Sequence, residues 1–233
     1  MKNEPIEVSV VMPCLNEQET LGACIRKAQR TLEALGVSGE VVVADNGSTD
    51  DSIGIAEHLG AHVVHQPIRG YGAAYQAGFA AARGQFIVMG DSDDTYDFTD
   101  LKRFITPLRE GYDLVIGNRF KGDIMPGAMP WARRYIGNPI LSGILRWLFG
   151  TAISDSHCGM RSFTAEAYKR MVLKTTGMEF ASEMVVKALA VNLNILEIPI
   201  TYYPRAGESK LNAVRDAVRH LRFMLKYKIS DKI

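Results

Sequence analysis

Three carboxylates, Asp91, Asp93 and Asp94, follow an apolar run within four residues of one another. The run before them, residues 85–89, is typical of a buried β-strand. Carboxylates crowded at a strand end repel one another unless a cation lies between them. A hard ion such as Mg²⁺ or Mn²⁺ takes oxygen ligands and usually bridges to substrate phosphates. The motif therefore indicates an enzyme that holds a phosphorylated donor through a metal, although an acidic turn after a strand has the same composition.

The whole chain has the composition of an ordinary globular protein, with 233 residues, 47% of them hydrophobic. A net charge of +1 argues against a general nucleic-acid-binding protein. Three irregularly spaced cysteines, Cys14, Cys24 and Cys158, favour a reducing compartment over a disulfide framework or a zinc cluster. The first seven residues are polar, and no stretch has the length of a membrane span. We therefore expect a soluble or peripheral cytoplasmic protein.

Short apolar runs alternate with helical patterns in the first half of the chain. The patterns predict strands at residues 8–12, 40–44, 61–65, 85–89 and 113–117, and helices at residues 17–35, 53–59, 72–82 and 101–109. This alternation predicts an α/β fold with a mostly parallel central sheet and helices on both faces. Such sheets bind ligands at the carboxyl ends of their strands. The polar groups that follow three strands, at Asn16, Asp45 and Asp91, should therefore converge on one edge.

The second half has a different rhythm. Residues 121–130 are rich in Gly, Pro and Met, which predicts a mobile loop. Further patterns predict helices at residues 131–149, 179–191 and 211–228, a strand at residues 195–202 and a polar loop at residues 154–161. We find no internal repeat and no low-complexity linker. The simplest partition is therefore a single domain over residues 1–233.

The ordered set of motifs resembles the family 2 glycosyltransferases. Its members here are the turn at residues 13–17, the segment at residues 45–50 and the aspartates at residues 91–93. Residues 155–161, 177–180 and 203–211 look like the branch with the dolichol-phosphate mannose and polyprenyl-phosphate glucose synthases. The resemblance runs from about residue 8 to about residue 225. It implies a GT-A fold, with a nucleotide-sugar-binding half at about residues 8–117 and an acceptor-binding half at about residues 118–233.

The resemblance also implies a reaction. A hexose would pass with inversion from a UDP- or GDP-sugar to a polyprenyl phosphate, such as dolichyl or undecaprenyl phosphate. The acceptor phosphate would be largely ionised at neutral pH, so a strong general base would be less necessary than for a sugar hydroxyl.

The donor-binding residues are assigned by the same resemblance. The turn and the second segment would hold the nucleoside, Arg69 would approach the base or the diphosphate, and a late basic cluster would clamp the diphosphate. These residues are Pro13, Leu15, Asn16, Glu17, Asp45, Asn46, Arg69, Asp91, Ser92, Arg205, Ser209 and Lys210. Helix capping by Asp45 and Asn46 is an alternative, as is a solvated loop position for Arg69. An NAD site is disfavoured, because Tyr75 stands at the third glycine position of the dinucleotide fingerprint.

The resemblance places Mg²⁺ or Mn²⁺ on Asp93, with Asp91 facing the metal or the nucleotide sugar. Mannose synthases often have Gln where this chain has Thr95, which leaves the third protein ligand open. Asp155 lies where the family has a catalytic or metal-associated carboxylate. His157 is a candidate base, and a structural role is the main alternative for it.

The acceptor phosphate would lie near Arg119 and Arg133, which flank the predicted loop. Arginine suits bidentate phosphate recognition, so these two residues would orient the nucleophile during catalysis. Arg134 and Gly137 belong to the same predicted acceptor site. Arg134 is equally compatible with a surface charge, and related enzymes often have Ser where Gly137 stands.

The last predicted helix carries apolar and basic residues together. Its apolar members are Val214, Val218, Leu221 and Leu225, and its basic members are Arg215, Arg219, Arg222 and Lys226. It would either face the core or lie on an anionic membrane surface. Many relatives continue into transmembrane helices at this point, whereas this chain ends at Ile233. We expect a peripheral position on the cytoplasmic face of a membrane, and a homo-oligomer remains an option.

Three other functions stay open at this stage. A saccharide or protein hydroxyl as acceptor would need a base, which would make Asp155 essential. Residues 91–95 also fit the D-x-D-x-T pattern of aspartyl-phosphate phosphohydrolases, in which the first Asp is a nucleophile. That motif normally follows the first strand of its fold, whereas three predicted strands precede it here. A non-catalytic nucleotide-sugar sensor is the third alternative.

Overall fold

The computed structural model describes residues 5–206 and 213–230, and its centre is one seven-stranded sheet. The strands are β1 Val8–Cys14, β2 Gly39–Asp45, β3 His62–His65, β4 Phe86–Met89, β5 Leu114–Asn118, β6 Arg161–Thr164 and β7 Ile195–Pro199. Their order in the sheet is β3-β2-β1-β4-β6-β5-β7, and all pairs are parallel except those made by β6. The predicted mostly parallel α/β sheet is thus confirmed.

Helices connect the strands and cover the sheet. They are α1 Leu21–Ala34, α2 Ser52–His58, α3 Tyr71–Ala81, α4 Leu101–Arg109, α5 Asn138–Phe149, α6 Ala165–Met171, α7 Phe180–Ala190 and α8 Ala213–Ser230. Every residue of β4 and β5 is buried, as expected of strands with both faces covered. In the first half, the predicted elements differ from the observed ones by a few residues at their ends, and α1 begins four residues later than predicted.

The carboxyl ends of three strands meet at one edge of the sheet. Cys14 of β1 pairs with Asp45 of β2, and Val11 of β1 pairs with Met89 of β4. Asn16, Asp45 and Asp91 therefore lie beside the ends of adjacent parallel strands. The predicted convergence of the three polar clusters is confirmed.

Strand β6 and helix α6 were missed by the sequence patterns. β6 runs antiparallel between β4 and β5, and the predicted loop at residues 154–161 ends where it begins. It has only four residues and opens with Arg161, which is fully buried. The guanidinium of Arg161 donates to the carbonyls of Ser156, Cys158 and Ala181 at 2.8–2.9 Å. Because these bonds compensate the buried cation, the strand forms without the apolar run that patterns detect.

The predicted helix at residues 131–149 contains a π-helical turn, Arg133–Gly137, before α5 begins. In α8, the buried side is formed by Asp216, His220 and Met224, while Val214 and Leu225 are exposed. The alternative in which the apolar residues of the last helix face the core is therefore wrong for these two and for Val218, which is exposed as well. Among the helices of residues 5–206 and 213–230, none is both long and apolar enough to cross a bilayer.

Helix α8 is fixed to the body of the protein through buried His220 and half-buried His157. The Oγ of Ser182 on α7 lies 2.8 Å from Nδ1 of His220 and 3.3 Å from Nε2 of His157. The two imidazole rings meet edge to face at 4.4 Å. Burial, followed by the charge of His220, lowers the pKa of His157 well below its usual value. Burial, followed by the charge of Arg161, lowers the pKa of His220 to about 4.

These histidines predict a pH-dependent stability. Both pKa values lie below the unfolded value of about 6.5, so below that pH the unfolded chain binds more protons than the folded one. For His220 this difference extends down to about pH 4. The stability is complete above about pH 6.5 and falls as the pH drops, by about 1 kcal/mol per histidine for each pH unit. Denaturant unfolding at pH 7.5 and pH 5.5 measures this loss. His220→Gln should reduce the pH dependence, and an unchanged dependence in that variant would contradict the assignment.

Candidate active site

Asp91 is held at the end of β4 by two tyrosines of α3. The hydroxyls of Tyr71 and Tyr75 each donate to Oδ1 of Asp91 at 3.0 Å. Burial, followed by the negative charge of Asp93, raises the pKa of Asp91 to about 7, although the tyrosine hydrogen bonds oppose this shift. The other carboxylate oxygen faces Gly159, where an added Cβ would lie 2.9 Å from it. Position 159 therefore has no room for a side chain beside the carboxylate.

Asp93 is oriented from one side and balanced by a cation on the other. Its Oδ1 accepts hydrogen bonds from Thr95, at 2.6 Å from Oγ1 and 3.2 Å from the backbone nitrogen. Its Oδ2 lies 3.0 Å from Nη1 of Arg205. The Nη2 of the same guanidinium lies 2.5 Å from Oε1 of Glu17. One arginine from the end of the described chain segment thus joins two carboxylates that follow β1 and β4.

This donor set fits a hard divalent cation. Asp91 and Asp93 offer oxygen ligands only, and burial, followed by the charge of Asp93, raises the pKa of Asp91 although Arg205 lies beside Asp93. In the part of the chain that the structure describes, no group of three or more His, Cys, Asp or Glu side chains could hold a metal. Mg²⁺ is typically bound by one or two carboxylates together with substrate phosphates, so a site completed by the donor agrees with this geometry.

The predicted nucleoside-binding residues lie together at the ends of β1 and β2. Asp45 accepts hydrogen bonds from the backbone of Gly47 and Ser48, at 3.1 and 3.0 Å. Although burial opposes it, hydrogen bonding by the side chain and backbone of Ser48, followed by the backbone of Gly47, lowers the pKa of Asp45. Asn16, at φ 53°, accepts from the backbone nitrogen of Thr49 at 2.7 Å. The loops after the two strands are therefore tied to each other.

Asn46 is engaged in holding the loop that precedes α3. Its amide nitrogen donates to the carbonyls of Gln66 and Ile68 at 2.9 and 2.8 Å, and its Oδ1 accepts from Gly70 at 2.7 Å. Arg69, in that loop, donates from Nη2 to the carbonyl of Gly47 at 3.3 Å. In the structure the amide of Asn46 therefore positions Arg69 beside the Asp45 loop, and a contact of either residue with a base stays a prediction.

Ser92 connects the aspartate loop to the first strand. Its hydroxyl donates to the carbonyl of Pro13 at 2.7 Å, and its own carbonyl accepts from Thr20 at 2.7 Å. Leu15 is half-buried in the turn directly after β1. The predicted donor residues after β1 and β4 are thus neighbours, and Ser92 holds backbone in place with its hydroxyl.

Arg119 and Asp155 form a buried ion pair. Nε and Nη2 of Arg119 each lie 2.8 Å from one oxygen of Asp155, and the backbone nitrogen of Arg119 adds a third bond at 3.0 Å. The side chain of Asp155 has no exposed surface. The guanidinium of Arg119 also lies over the ring of Tyr202 at 5.2 Å. Asp155 is therefore engaged with Arg119, and the structure gives it no contact with Asp93.

Glu197 supports this pair from β7. Its Oε1 accepts from the backbone nitrogens of Ser154 and Asp155 at 2.9 and 3.0 Å. It also accepts from the amide of Asn118 at 3.1 Å and from Nζ of Lys121 at 3.0 Å. The carboxylate thus fixes the backbone that carries Asp155 and the strand end that carries Arg119.

The remaining predicted acceptor residues lie on a different element. Arg133, Arg134 and Gly137 all belong to the π-helical turn before α5, and the guanidinium of Arg134 lies over the ring of Tyr135 at 5.3 Å. The clamp residues Ser209 and Lys210 lie outside the described residues.

Several residues of the site were not foreseen from the sequence. Tyr71 and Tyr75 bind Asp91, Tyr202 stacks on Arg119, and Glu197 orders the loop that carries Asp155. Tyr71 follows Arg69 by two residues and is the first residue of α3, and its position at the edge of the predicted helix was the available signal. Glu197 is the lone charged residue of an apolar strand pattern, and this was the available signal for its role.

The buried pair predicts a large stability effect. Asp155→Asn removes a charge from Arg119 and leaves a buried cation without its counter-ion, so we expect a loss of about 3–5 kcal/mol in the free energy of unfolding. Denaturant unfolding at neutral pH measures it. Asp123→Asn, at an exposed position, serves as a control and should have little effect. A change below about 1 kcal/mol in Asp155→Asn would contradict the pairing.

Comparison with known proteins gives a consistent family. Residues 9–177 match the profile of glycosyl transferase family 2. The chain is 46% identical over 219 residues to the low-salt glycan biosynthesis hexosyltransferase Agl6 of Haloferax volcanii, with 94% of this chain and 53% of that protein covered. It is 34% identical over 212 residues to a dolichyl-phosphate hexose transferase of the same organism, with 88% of this chain and 87% of that protein covered. The chain thus spans about half the length of the first of these relatives.

Solved structures show the same fold. Glucosyl-3-phosphoglycerate synthase from Mycobacterium tuberculosis, in complex with Mn²⁺, UDP and glucosyl-3-phosphoglycerate, superposes with a TM-score of 0.73 at 23% identity. The match covers 96% of this chain and 80% of that one. The fold is thus of the GT-A type.

Proposed function

Because the chain belongs to glycosyl transferase family 2, we propose that it transfers a hexose from a nucleoside-diphosphate sugar to a polyprenyl phosphate. The observation that carries the proposal is the set formed by Asp91, Asp93, Arg205 and Glu17, at the edge where parallel sheets bind ligands. Membership of this family argues against both the phosphohydrolase and the non-catalytic sensor.

The donor is proposed to be a UDP- or GDP-hexose. A structural relative with this fold holds UDP and Mn²⁺, and Asp91 and Asp93 here have the oxygen chemistry for such an ion. When bound, Mg²⁺ or Mn²⁺ on Asp93 and Asp91 would neutralise charge growing on the departing nucleoside diphosphate. Arg205 would turn from Asp93 to the diphosphate, because a guanidinium binds phosphate oxygens through paired hydrogen bonds.

A phosphate acceptor is favoured by the state of Asp155. An acceptor hydroxyl would need a base, and the candidate for that role is fully buried and bonded to Arg119 by both oxygens. An ionised phosphate monoester needs no such base. The dolichyl-phosphate hexose transferase that the chain resembles at 34% identity supports the same acceptor class.

The reaction would then depend on positioning. Arg119, held rigid by Asp155, and Arg133, on the π-helical turn, would orient the acceptor phosphate for in-line attack on the anomeric carbon. Tyr71 and Tyr75 keep Asp91 directed at the donor side, and burial raises the pKa of both hydroxyls, so they remain hydrogen-bond donors. A polyprenyl chain lies in a bilayer, so the proposal includes a peripheral position on its cytoplasmic face.

The first experiment is a transfer assay with a panel of UDP- and GDP-sugars, a short prenyl phosphate, and Mn²⁺ or Mg²⁺ followed by EDTA. We expect metal-dependent product with one donor. Metal-dependent donor hydrolysis without product would reject the acceptor and retain the donor. Neither reaction, with any donor in the panel, would overturn the proposal.

Asp93→Asn tests the metal role. The amide keeps the size of the side chain and loses its charge, so we expect turnover to fall by at least about a hundredfold, with metal binding weakened in titration calorimetry. Asp123→Asn is the matched control. Activity and metal affinity equal to those of the unchanged protein would remove Asp93 from the metal site.

Arg133→Ala tests the acceptor role. Loss of one phosphate contact should raise the KM for the prenyl phosphate by about tenfold and leave the KM for the nucleotide sugar unchanged. Arg30→Ala, an exposed arginine of α1, is the control. An equal rise in both KM values, or none, would reject a specific acceptor contact.

A further inference from the structure

Helix α5 has an apolar stripe on the side that faces away from the core. Leu141 and Leu145 are buried against the protein, whereas Ile140 and Trp147 are exposed, the indole at 82%. Ile140 and Trp147 are seven residues apart, and Gly143 lies between them, so the three share one side of the helix. Large apolar side chains aligned on a solvent-facing side are unusual on a monomeric surface and mark a place of interaction.

The segment before α5 extends this surface. Trp131 is 67% exposed, and its ring lies 5.7 Å from that of Tyr135, which is also exposed. Ile136 follows in the same π-helical turn and is exposed as well. Tryptophan and tyrosine are enriched where a protein meets the boundary between lipid and water, because their rings are apolar with a polar tip.

Helix α8, which packs against α5, is divided into three sides. One side is buried in the protein, as described above. A second is apolar and exposed, and consists of Val214, Val218, Leu225 and Ile229. The third is basic and consists of Arg215, Arg219, Arg222 and Lys226, all of them exposed. The apolar residues are spaced by four, seven and four residues and the basic residues by four, three and four, so each set lies on its own side of the helix.

A charged side next to an apolar side is the pattern of a helix lying in a membrane interface. The apolar residues would enter the boundary between headgroups and acyl chains, and the four cations would meet anionic headgroups. A protein partner with a purely apolar face would leave this basic side unmatched. The basic side of α8 therefore favours an anionic bilayer over an apolar protein partner.

We propose that the outer sides of α5, the π-helical turn and α8 form a docking surface for a bilayer that contains anionic phospholipids. We call it the lipid-facing surface, and define it by Trp131, Ile140, Trp147, Val214, Val218, Leu225 and Ile229 with the four cations of α8. This inference rests on the proposed function, which gives the surface its role in bringing the enzyme to a lipid acceptor. It places Arg133 and Arg134, on the same π-helical turn, at the level where the phosphate of a membrane-bound polyprenyl acceptor lies.

The chain carries its own probe of this surface. It has two tryptophans, Trp131 and Trp147, and both belong to the lipid-facing surface. On addition of vesicles with phosphatidylcholine and phosphatidylglycerol we expect a blue shift of the intrinsic fluorescence and sedimentation with the vesicles. Binding should weaken with phosphatidylcholine alone and with added salt, because the cationic contribution is screened. Absence of a shift and of sedimentation with anionic vesicles would overturn the proposal.

Paired variants test the apolar and basic parts separately. Trp147→Ser and Leu225→Ser should each weaken vesicle binding about tenfold, and so should Arg222→Gln combined with Lys226→Gln. Arg30→Gln combined with Lys102→Gln removes the same charge from exposed positions on α1 and α4, and should bind as the unchanged protein. Equal losses in the control pair would show a net-charge effect and reject the surface.

Sedimentation velocity without lipid tests the competing occupant. A dimer that Trp147→Ser dissociates would assign α5 to a second copy of the chain and overturn the bilayer assignment. Circular dichroism and thermal unfolding of each variant ensure that only folded proteins are compared.

The acceptor assay separates this inference from the proposed function. Trp147→Ser should retain transfer to a water-soluble short prenyl phosphate without vesicles, and lose about tenfold with a long-chain acceptor in vesicles. Vesicle binding by a protein that transfers no sugar would refute the proposed function and keep the surface. Transfer to both acceptors at unchanged rates in the variant would refute the surface and keep the function.

Discussion

The crowding of Asp91 and Asp93 at the end of β4 is the constraint on which the site depends. Two carboxylates in a buried position need compensation, and the structure supplies it from three directions. Tyr71 and Tyr75 donate to Asp91, Thr95 donates to Asp93, and Arg205 reaches in from the far end of the chain. The pKa of Asp91 nevertheless stays raised, because burial and the charge of its neighbour outweigh these donors. A divalent cation bound to these carboxylates would offset the remaining unfavourable electrostatic interaction.

Buried charges with compensating partners also occur in the second half of the molecule. Arg119, Asp155 and Arg161 are buried, and each is bonded by ion pairs or carbonyls that replace lost water. Such networks are rigid because a missing partner is costly, and they hold the inserted antiparallel strand β6 between β4 and β5. The rigidity fixes Arg119 relative to the aspartate loop, with Tyr202 packed against its guanidinium.

The two sides of this half have contrasting chemistry. Inside, polar groups are satisfied by defined partners, while outside, α5 and α8 expose apolar stripes that the fold itself does not cover. The π-helical turn lies where these two environments meet, and it carries Arg133 and Arg134. The proposed reaction between a water-soluble nucleotide sugar and a lipid phosphate would take place at such a boundary.

The α/β class was predicted correctly from the sequence. So were the order of most elements and the edge of the sheet where the polar clusters converge. These follow from local periodicity and from the rule that ligands bind where parallel strands end. The partners of each charge depend on contacts between distant segments, which local patterns do not contain. Strand β6 escaped detection because its burial is compensated by distant carbonyls, and Asp155 and Arg119 were assigned separate roles although they bind each other. The burial of Asp216, His220 and Met224 in α8 was likewise decided by packing, because an amphipathic pattern gives a helix's sides without saying which one meets the core.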